Sequence, residues 1–226
     1  MADRSVLVTG GAGGLGGAVI DAFRTDGWRV VAPVRGDQQL DGVITVTGVD
    51  ASDPAAVARA VETAACDAQA PLRAVVNLIG AYAGGGRVHE LPLADFEAQL
   101  TRNLRPTYLV TQAALPHLVA GGGGSVVCMS SRAAVAPFAG ASGYVTAKAA
   151  VLAFMQAVAV EYKDDGVRCN AVLPSVIDTP ANRAAQPNAD HSRWVTPVEI
   201  ARVIRFLAGD GAAPTTGAAI PVYGRA

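Results

Sequence analysis

An α/β fold, one domain over residues 1–226 with a doubly wound parallel β-sheet of about seven strands and helices on both faces, is predicted by three observations in the sequence. Strand-like and helix-like segments alternate along the chain. The strand candidates are short β-branched runs without polar alternation, as expected for parallel strands buried on both faces. A glycine-rich turn joins the first strand to the first helix.

The elements follow in order. Ser5-Val6-Leu7-Val8-Thr9 is the first strand, and it runs into Gly10-Gly11-Ala12-Gly13-Gly14-Leu15-Gly16-Gly17. A helix follows with Val19, Ile20 and Phe23 on one side, ending near Gly27. Residues 28–34 form the second strand and 43–49 the third. Asp53-Pro54 supplies an N-cap and a proline at the first helical position for a helix over 55–65. Residues 73–77 form the fourth strand, interrupted at Gly80 by a loop containing Gly84-Gly85-Gly86. Residues 91–118 are helical in two pieces, with a kink or break at Pro106. Residues 125–129 form the fifth strand, 142–163 a long helix and 167–172 the sixth strand. Residues 174–197 are polar, proline-punctuated and aperiodic, and are expected to form a mobile loop. A helix over 199–208 and a strand over 218–222 close the chain.

Composition narrows the function. Hydrophobic residues make up 51% and charged residues 16%, enough for a core and too apolar for disorder. A net charge of −1 gives no preference for nucleic acid or an anionic membrane. Cys66, Cys128 and Cys169 are odd in number and far apart, which fits thiols in a reducing, cytoplasmic compartment. His89, His117 and His191 lack ligand spacing, so no metal is expected. A strand beginning at Ser5 leaves no room for a signal peptide. The longest apolar run, 149–160, is too short to span a bilayer and reads as a helix buried on most sides.

The glycine turn carries the first functional signal. Glycines let a backbone approach a pyrophosphate, and the following helix offers unpaired N–H groups and a positive dipole end. In such sheets ligands sit beyond the carboxyl ends of the strands, where the strand order reverses. That gathers Gly10, Gly13, Gly14, Leu15 and Gly16 with Asn77, Ser131 and Pro174. Arg35, after Val34 at the end of the second strand, suits a 2′-phosphate, so NADP(H) is expected, with NAD(H) as the alternative. Asp50 either hydrogen-bonds an adenine or starts a turn.

The long helix carries the second signal. Tyr144 and Lys148 are four apart and face one side. A phenol titrates near 10, and a neighbouring ammonium is expected to bring it toward neutrality. A serine beside it, Ser131, would hydrogen-bond an oxygen gaining negative charge. No Gly-x-Ser-x-Gly surrounds Ser131, which argues against a hydrolase nucleophile.

With these residues assembled, the chain resembles the short-chain dehydrogenase/reductase family, a Rossmann-fold family, over essentially its whole length. Thr9-Gly10 with Gly14 and Gly16 matches the family's Thr-Gly-x-x-x-Gly-x-Gly loop, and Tyr144/Lys148 its Tyr-x-x-x-Lys. Ser131 falls at the catalytic serine and Asn103 at the helix asparagine. Asn170-Ala171-Val172-Leu173-Pro174 followed by Thr179 resembles the segment that contacts the nicotinamide end, and Thr216-Gly217 with Gly224 the closing strand region. Residues 178–194 are also similar to the dihydropteridine reductase branch.

The resemblance implies hydride transfer between a nicotinamide cofactor and a small carbonyl or alcohol. Tyr144 would handle the proton, Lys148 lower its pKa and hold the nicotinamide ribose, Ser131 orient the substrate oxygen, and Asn103 link Lys148 to solvent through water. It further implies cofactor contacts at Ala51, Gly80, Ser175, Ile177 and Thr179, and a homotetramer or homodimer built on the helices around 104–118 and past Tyr144. Three positions depart from the family pattern: Leu78 stands for an asparagine, Ser175 for a glycine, and Val34 for the acidic residue of NAD users. Tyr82, His191 and Trp194 are candidates to line the substrate pocket. The alternative function is a catalytically silent NADP-binding sensor, which would be expected to lack Ser131, Tyr144 or Lys148.

Overall fold

The computed structural model describes residues 2–225; Met1 and Ala226, the ends of the expected domain span, lie outside the described residues. Among the described residues, seven strands form one sheet: β1 (Ser5–Thr9), β2 (Arg29–Pro33), β3 (Ile44–Val46), β4 (Leu72–Asn77), β5 (Gly124–Met129), β6 (Val167–Pro174) and β7 (Ala219–Val222). Their order is β3-β2-β1-β4-β5-β6-β7 and every pairing is parallel. The order reverses between β1 and β4, which places a ligand crevice beyond Thr9 and Asn77. The expected architecture is therefore the observed one.

The helices are α1 (Gly16–Thr25), α2 (Pro54–Ala65), α3 (Leu93–Asn103), α4 (Arg105–Ala120), α5 (Ser142–Glu161), α6 (Pro180–Ala185) and α7 (Pro197–Ala208). Val19, Ile20 and Phe23 of α1 and Ile200, Ile204 and Leu207 of α7 bury one sheet face; α2, α4 and α5 cover the other through Val57, Val110, Leu118, Val151 and Met155. The Asp53 carboxylate accepts the Ala55 N–H at 3.0 Å, the expected cap.

Four local readings are corrected. The third strand is shorter than 43–49, because Gly48 takes φ +66° and the Val49 N–H turns back to Val34 O at 2.9 Å. The helix break falls at Leu104, and Pro106 lies in the first turn of α4, where its missing N–H costs nothing. The 174–197 segment is not a structureless loop. Thr179 caps α6 by accepting the Asn182 N–H at 3.2 Å, and Arg183 pairs with both oxygens of Asp178 at 2.5 and 2.8 Å. Ile177 bridges to Val195, so both ends of the segment are tied together.

The fourth correction concerns α5, which is not buried on most sides. It is 20 residues long and apolar enough by composition to cross a bilayer, yet only 39% of its apolar stretch is buried. Val151, Met155 and Val158 pack at helical spacing in the core against the sheet, and Gly143 meets Phe96 and Gln99 of α3, which is the packing of a core helix. The outward face stays apolar, with Val160 exposed and Phe154 packed on exposed Tyr108 of α4 at 5.6 Å between ring centroids.

Candidate active site

The crevice begins at the tips of β1 and β4. Thr9 Oγ1 donates to Val76 O at 3.3 Å and accepts the Leu78 N–H at 3.2 Å, which ties the two tips together. Leu78, where the family pattern has asparagine, packs against the core. Gly10 takes φ +72°, and the loop closes through Gly13 N–H to Gly10 O and Gly16 N–H to Gly13 O, both 2.9 Å. A Cβ on Gly16 would fall 2.5 Å from Gly10 O and closer still to Gly11 O, so only glycine fits. No side chain caps α1 at Leu15, which leaves the N–H groups after Gly16 in its first turn for an anion.

From this loop extends a cleft of about 660 Å³, within the range of cofactor sites. Of the expected cofactor residues, Gly10, Gly13, Arg35, Asp50, Ala51 and Gly80 line it. Arg35 stands at its edge with its side chain 82% exposed and Nη2 3.4 Å from Asp50 Oδ1. That same Oδ1 accepts the Ser52 N–H at 2.9 Å and hydroxyl at 2.8 Å. Asp50 thus starts a turn and also faces the cleft; the Ser52 bonds hold its carboxyl below the usual range. Thr179 meets the loop from β6's side: a Cβ on Gly14 would lie 2.8 Å from its methyl.

Other expected cofactor residues lie outside this lining. Gly14, Leu15 and Gly16 form the turn behind it. Pro174 ends β6, Ser175 Oγ donates to Tyr223 O at 2.6 Å, and Ile177 O accepts from Asn182 Nδ2 at 2.8 Å. Asn77 is buried; its Nδ2 donates to Thr111 Oγ1 at 3.0 Å, while its Oδ1 has no partner.

Gly80 joins the cleft to the helix-borne residues. A Cβ there would sit 2.7 Å from Asn103 Oδ1 and 2.8 Å from Lys148 Nζ. Asn103, fully buried, accepts the Ala81 N–H at 3.1 Å and donates to Ala81 O and Gln99 O, each at 3.0 Å. It thereby fixes the loop after β4. Lys148 Nζ donates to Met129 O at 3.0 Å and lies 5.9 Å from the Tyr144 ring centroid. Burial draws the Lys148 ammonium down to about 8. Ser131 is extended, at the start of a short 3-10 turn, and its Oγ accepts the Ala133 N–H at 3.2 Å. Its O–H is left to donate elsewhere.

Ser131, Tyr144, Lys148 and Asn103 therefore gather beside the cleft. One expectation fails here. Burial pushes the Tyr144 phenol up; the Ser131 hydroxyl pulls it the other way, and Tyr82 adds to the rise. Lys148 is not among the groups that shift it, and its Nζ donates to Met129 O.

Tyr82 does reach the site, edge-on to Tyr144 at 5.2 Å between centroids. His191 and Trp194 do not line the cleft; they stack on each other at 4.4 Å, with Trp194 buried. Sequence reasoning missed Phe138, whose ring lies 6.0 Å from Tyr82. The one large aromatic in the small-residue loop between Ser131 and Tyr144 was the available signal.

A parallel sheet with a glycine cradle at its switch point and a Ser/Tyr/Lys cluster beside it defines a nucleotide-dependent oxidoreductase. A family model described as short chain dehydrogenase matches residues 4–190, and the chain belongs to that family of NAD(P)-dependent oxidoreductases. It is 31% identical to 2-(R)-hydroxypropyl-CoM dehydrogenase of Xanthobacter autotrophicus over 98% of this chain and 97% of that protein. A short-chain type dehydrogenase/reductase from Mycobacterium ulcerans superposes with a TM-score of 0.91 at 27% identity, covering 100% of this chain and 90% of that one. ElxO with NADP bound shares the fold with a TM-score of 0.90 at 23% identity, covering 98% of each chain.

Proposed function

We propose that the protein transfers a hydride between NADP(H) and a small carbonyl or alcohol, with Ser131, Tyr144, Lys148 and Asn103 as its working side chains. The observation that carries this reading is the approach of Lys148 Nζ and Asn103 Oδ1 to Gly80, a residue of the cleft wall. The bound nicotinamide supplies or accepts the hydride. Gly10 to Gly16 would hold its pyrophosphate on the backbone N–H groups that the glycine geometry leaves open. Ser131 turns its O–H from the Tyr144 oxygen to the substrate oxygen, and Tyr144 gives that oxygen a proton or takes one from it. Lys148 places a cation beside the phenol, and Asn103 keeps the Gly80–Ala81 backbone against both. A relative named for oxidising an alcohol supports the reaction class. The silent-sensor alternative is not favoured, because every group it would be expected to lack is present.

Arg35 supports NADP(H), and the same fold carries NADP in ElxO. Fluorescence titration is expected to give tighter binding of NADPH than NADH. Arg35→Ala should weaken NADPH about tenfold and leave NADH nearly unchanged, since only the 2′-phosphate loses a charge-assisted partner. A clear preference for NADH in the unaltered protein would overturn this assignment. Turnover of carbonyls with either reduced cofactor tests the reaction itself.

The apolar outer faces of α4 and α5 support a homotetramer or homodimer. Phe154→Glu is expected to leave a 22.9 kDa species in sedimentation, because a carboxylate at that face cannot be desolvated cheaply. A wild-type protein already of that size would reject the assembly. Unpaired Cys66, Cys128 and Cys169 support a reducing, cytoplasmic setting.

A further inference from the structure

Two aromatic rings beside Tyr144 have no part in the proton and hydride chemistry. Tyr82, from the loop after β4, stands edge-on to Tyr144 at 5.2 Å and 87°. Phe138, from the loop after β5, tilts against Tyr82 at 6.0 Å and 48°. Three separate segments thus bring three rings into one row. Tyr82 and Phe138 remain 57% and 52% exposed. Leaving that much aromatic surface in water is unfavourable, and a monomer seldom clusters it without use. Val135, also exposed, lies in the same loop between Ser131 and Phe138.

The row is held in place. Gly85 N–H donates to Gly140 O at 2.8 Å, which ties the Tyr82 loop to the Phe138 loop. A Cβ on Gly84 would lie 2.7 Å from the Tyr82 hydroxyl, so that ring rests on bare backbone. Arg132, the cation next to Ser131 in sequence, lies over the Tyr223 ring at 5.2 Å. Its charge is engaged by that π face.

We propose that Tyr82 and Phe138 receive the substituent on the reacting carbonyl carbon and select a flat ring over linear substituents. This rests on the hydride-transfer reading of the Ser131/Tyr144/Lys148 cluster, since Tyr144 fixes where the reacting oxygen sits. A planar ring gains offset or edge-to-face stacking on both side chains. A linear chain gains burial alone.

The test uses amides, which present a carbonyl oxygen and do not accept hydride. Calorimetry on the NADPH-loaded protein compares benzamide with heptanamide, the linear amide of equal carbon count. Benzamide is expected to bind about tenfold more tightly. That ratio should fall to near unity in Tyr82→Ala and in Phe138→Ala, and persist in Tyr82→Phe, which keeps the ring and guards against a folding effect. Equal affinities in the wild type, no binding of benzamide, or an unchanged ratio in both alanine variants would overturn the proposal. Steady-state reduction of benzaldehyde and heptanal tests the underlying reading separately. Ring-selective amide binding without turnover of either aldehyde would keep the aromatic wall and reject hydride transfer.

Discussion

Tyr144→Phe is expected to lower kcat by about 10³-fold while changing the dissociation constant of NADPH by less than about threefold. The variant removes one hydroxyl and keeps the ring that packs against Tyr82. Folding and the glycine cradle are therefore untouched. What disappears is the phenolic proton beside Ser131, and a water in its place would be neither oriented nor desolvated. Because burial raises the Tyr144 phenol, the group is protonated at neutral pH. Carbonyl reduction, which needs a proton donor, should accordingly run well at neutral pH. Alcohol oxidation, which needs the phenolate, should gain as pH rises. A pH profile for oxidation that is flat from neutral to alkaline pH would contradict the assignment of Tyr144.

Lys148→Met is expected to abolish most activity and yet make the protein more stable at neutral pH. The Lys148 ammonium is nearly fully buried, and burial draws it from the ordinary 10.5 to about 8. Below about pH 8 the lysine is charged in both folded and unfolded chains, and the full cost of burying the charge is present. Between about 8 and 10.5 the unfolded chain binds a proton that the folded chain lacks, so stability rises with pH across that window. The depression corresponds to about 3 kcal/mol. Methionine fills a similar volume without the charge, at the loss of one hydrogen bond to Met129 O worth about 1 kcal/mol. A net gain of about 2 kcal/mol would raise Tm by about 5 °C at pH 7. The advantage should shrink as pH climbs past 8. A variant less stable than the wild type at pH 7 would mean that the buried ammonium is better compensated than its contacts indicate. A stability cost at a position needed for function is what preorganised active sites entail.

Much of this was legible in the residues, for physical reasons. The β1 turn requires glycine at Gly10 and Gly16, one for its positive φ and the other because no Cβ fits, so the cradle is written as a glycine pattern. Tyr144 and Lys148 share a helix side by their spacing, and they become a site reading through the glycine turn, Ser131 and the family's Tyr-x-x-x-Lys. Asn103 was legible only through family resemblance, because its partners, Ala81 and Gln99, are fixed by how a loop lies on a helix end. The helix in 174–197 was legible and passed over: Thr179-Pro180 repeats the cap-then-proline signal that correctly placed α2 at Asp53-Pro54. The direction of the Tyr144 shift was not legible. It depends on how deeply a phenol is buried, which is set by residues far away in sequence. Phe138 joins the site for the same kind of reason, through a loop-to-loop contact at Gly85 and Gly140.

A crystal structure of the protein with NADPH bound is the most direct measurement of the central claim. The account predicts the pyrophosphate on the Gly10–Gly16 backbone, the 2′-phosphate beside Arg35, and the nicotinamide ring on the side of the cleft where Tyr144, Ser131 and Lys148 converge. A nucleotide seated elsewhere, or one whose nicotinamide points away from Tyr144, would contradict it.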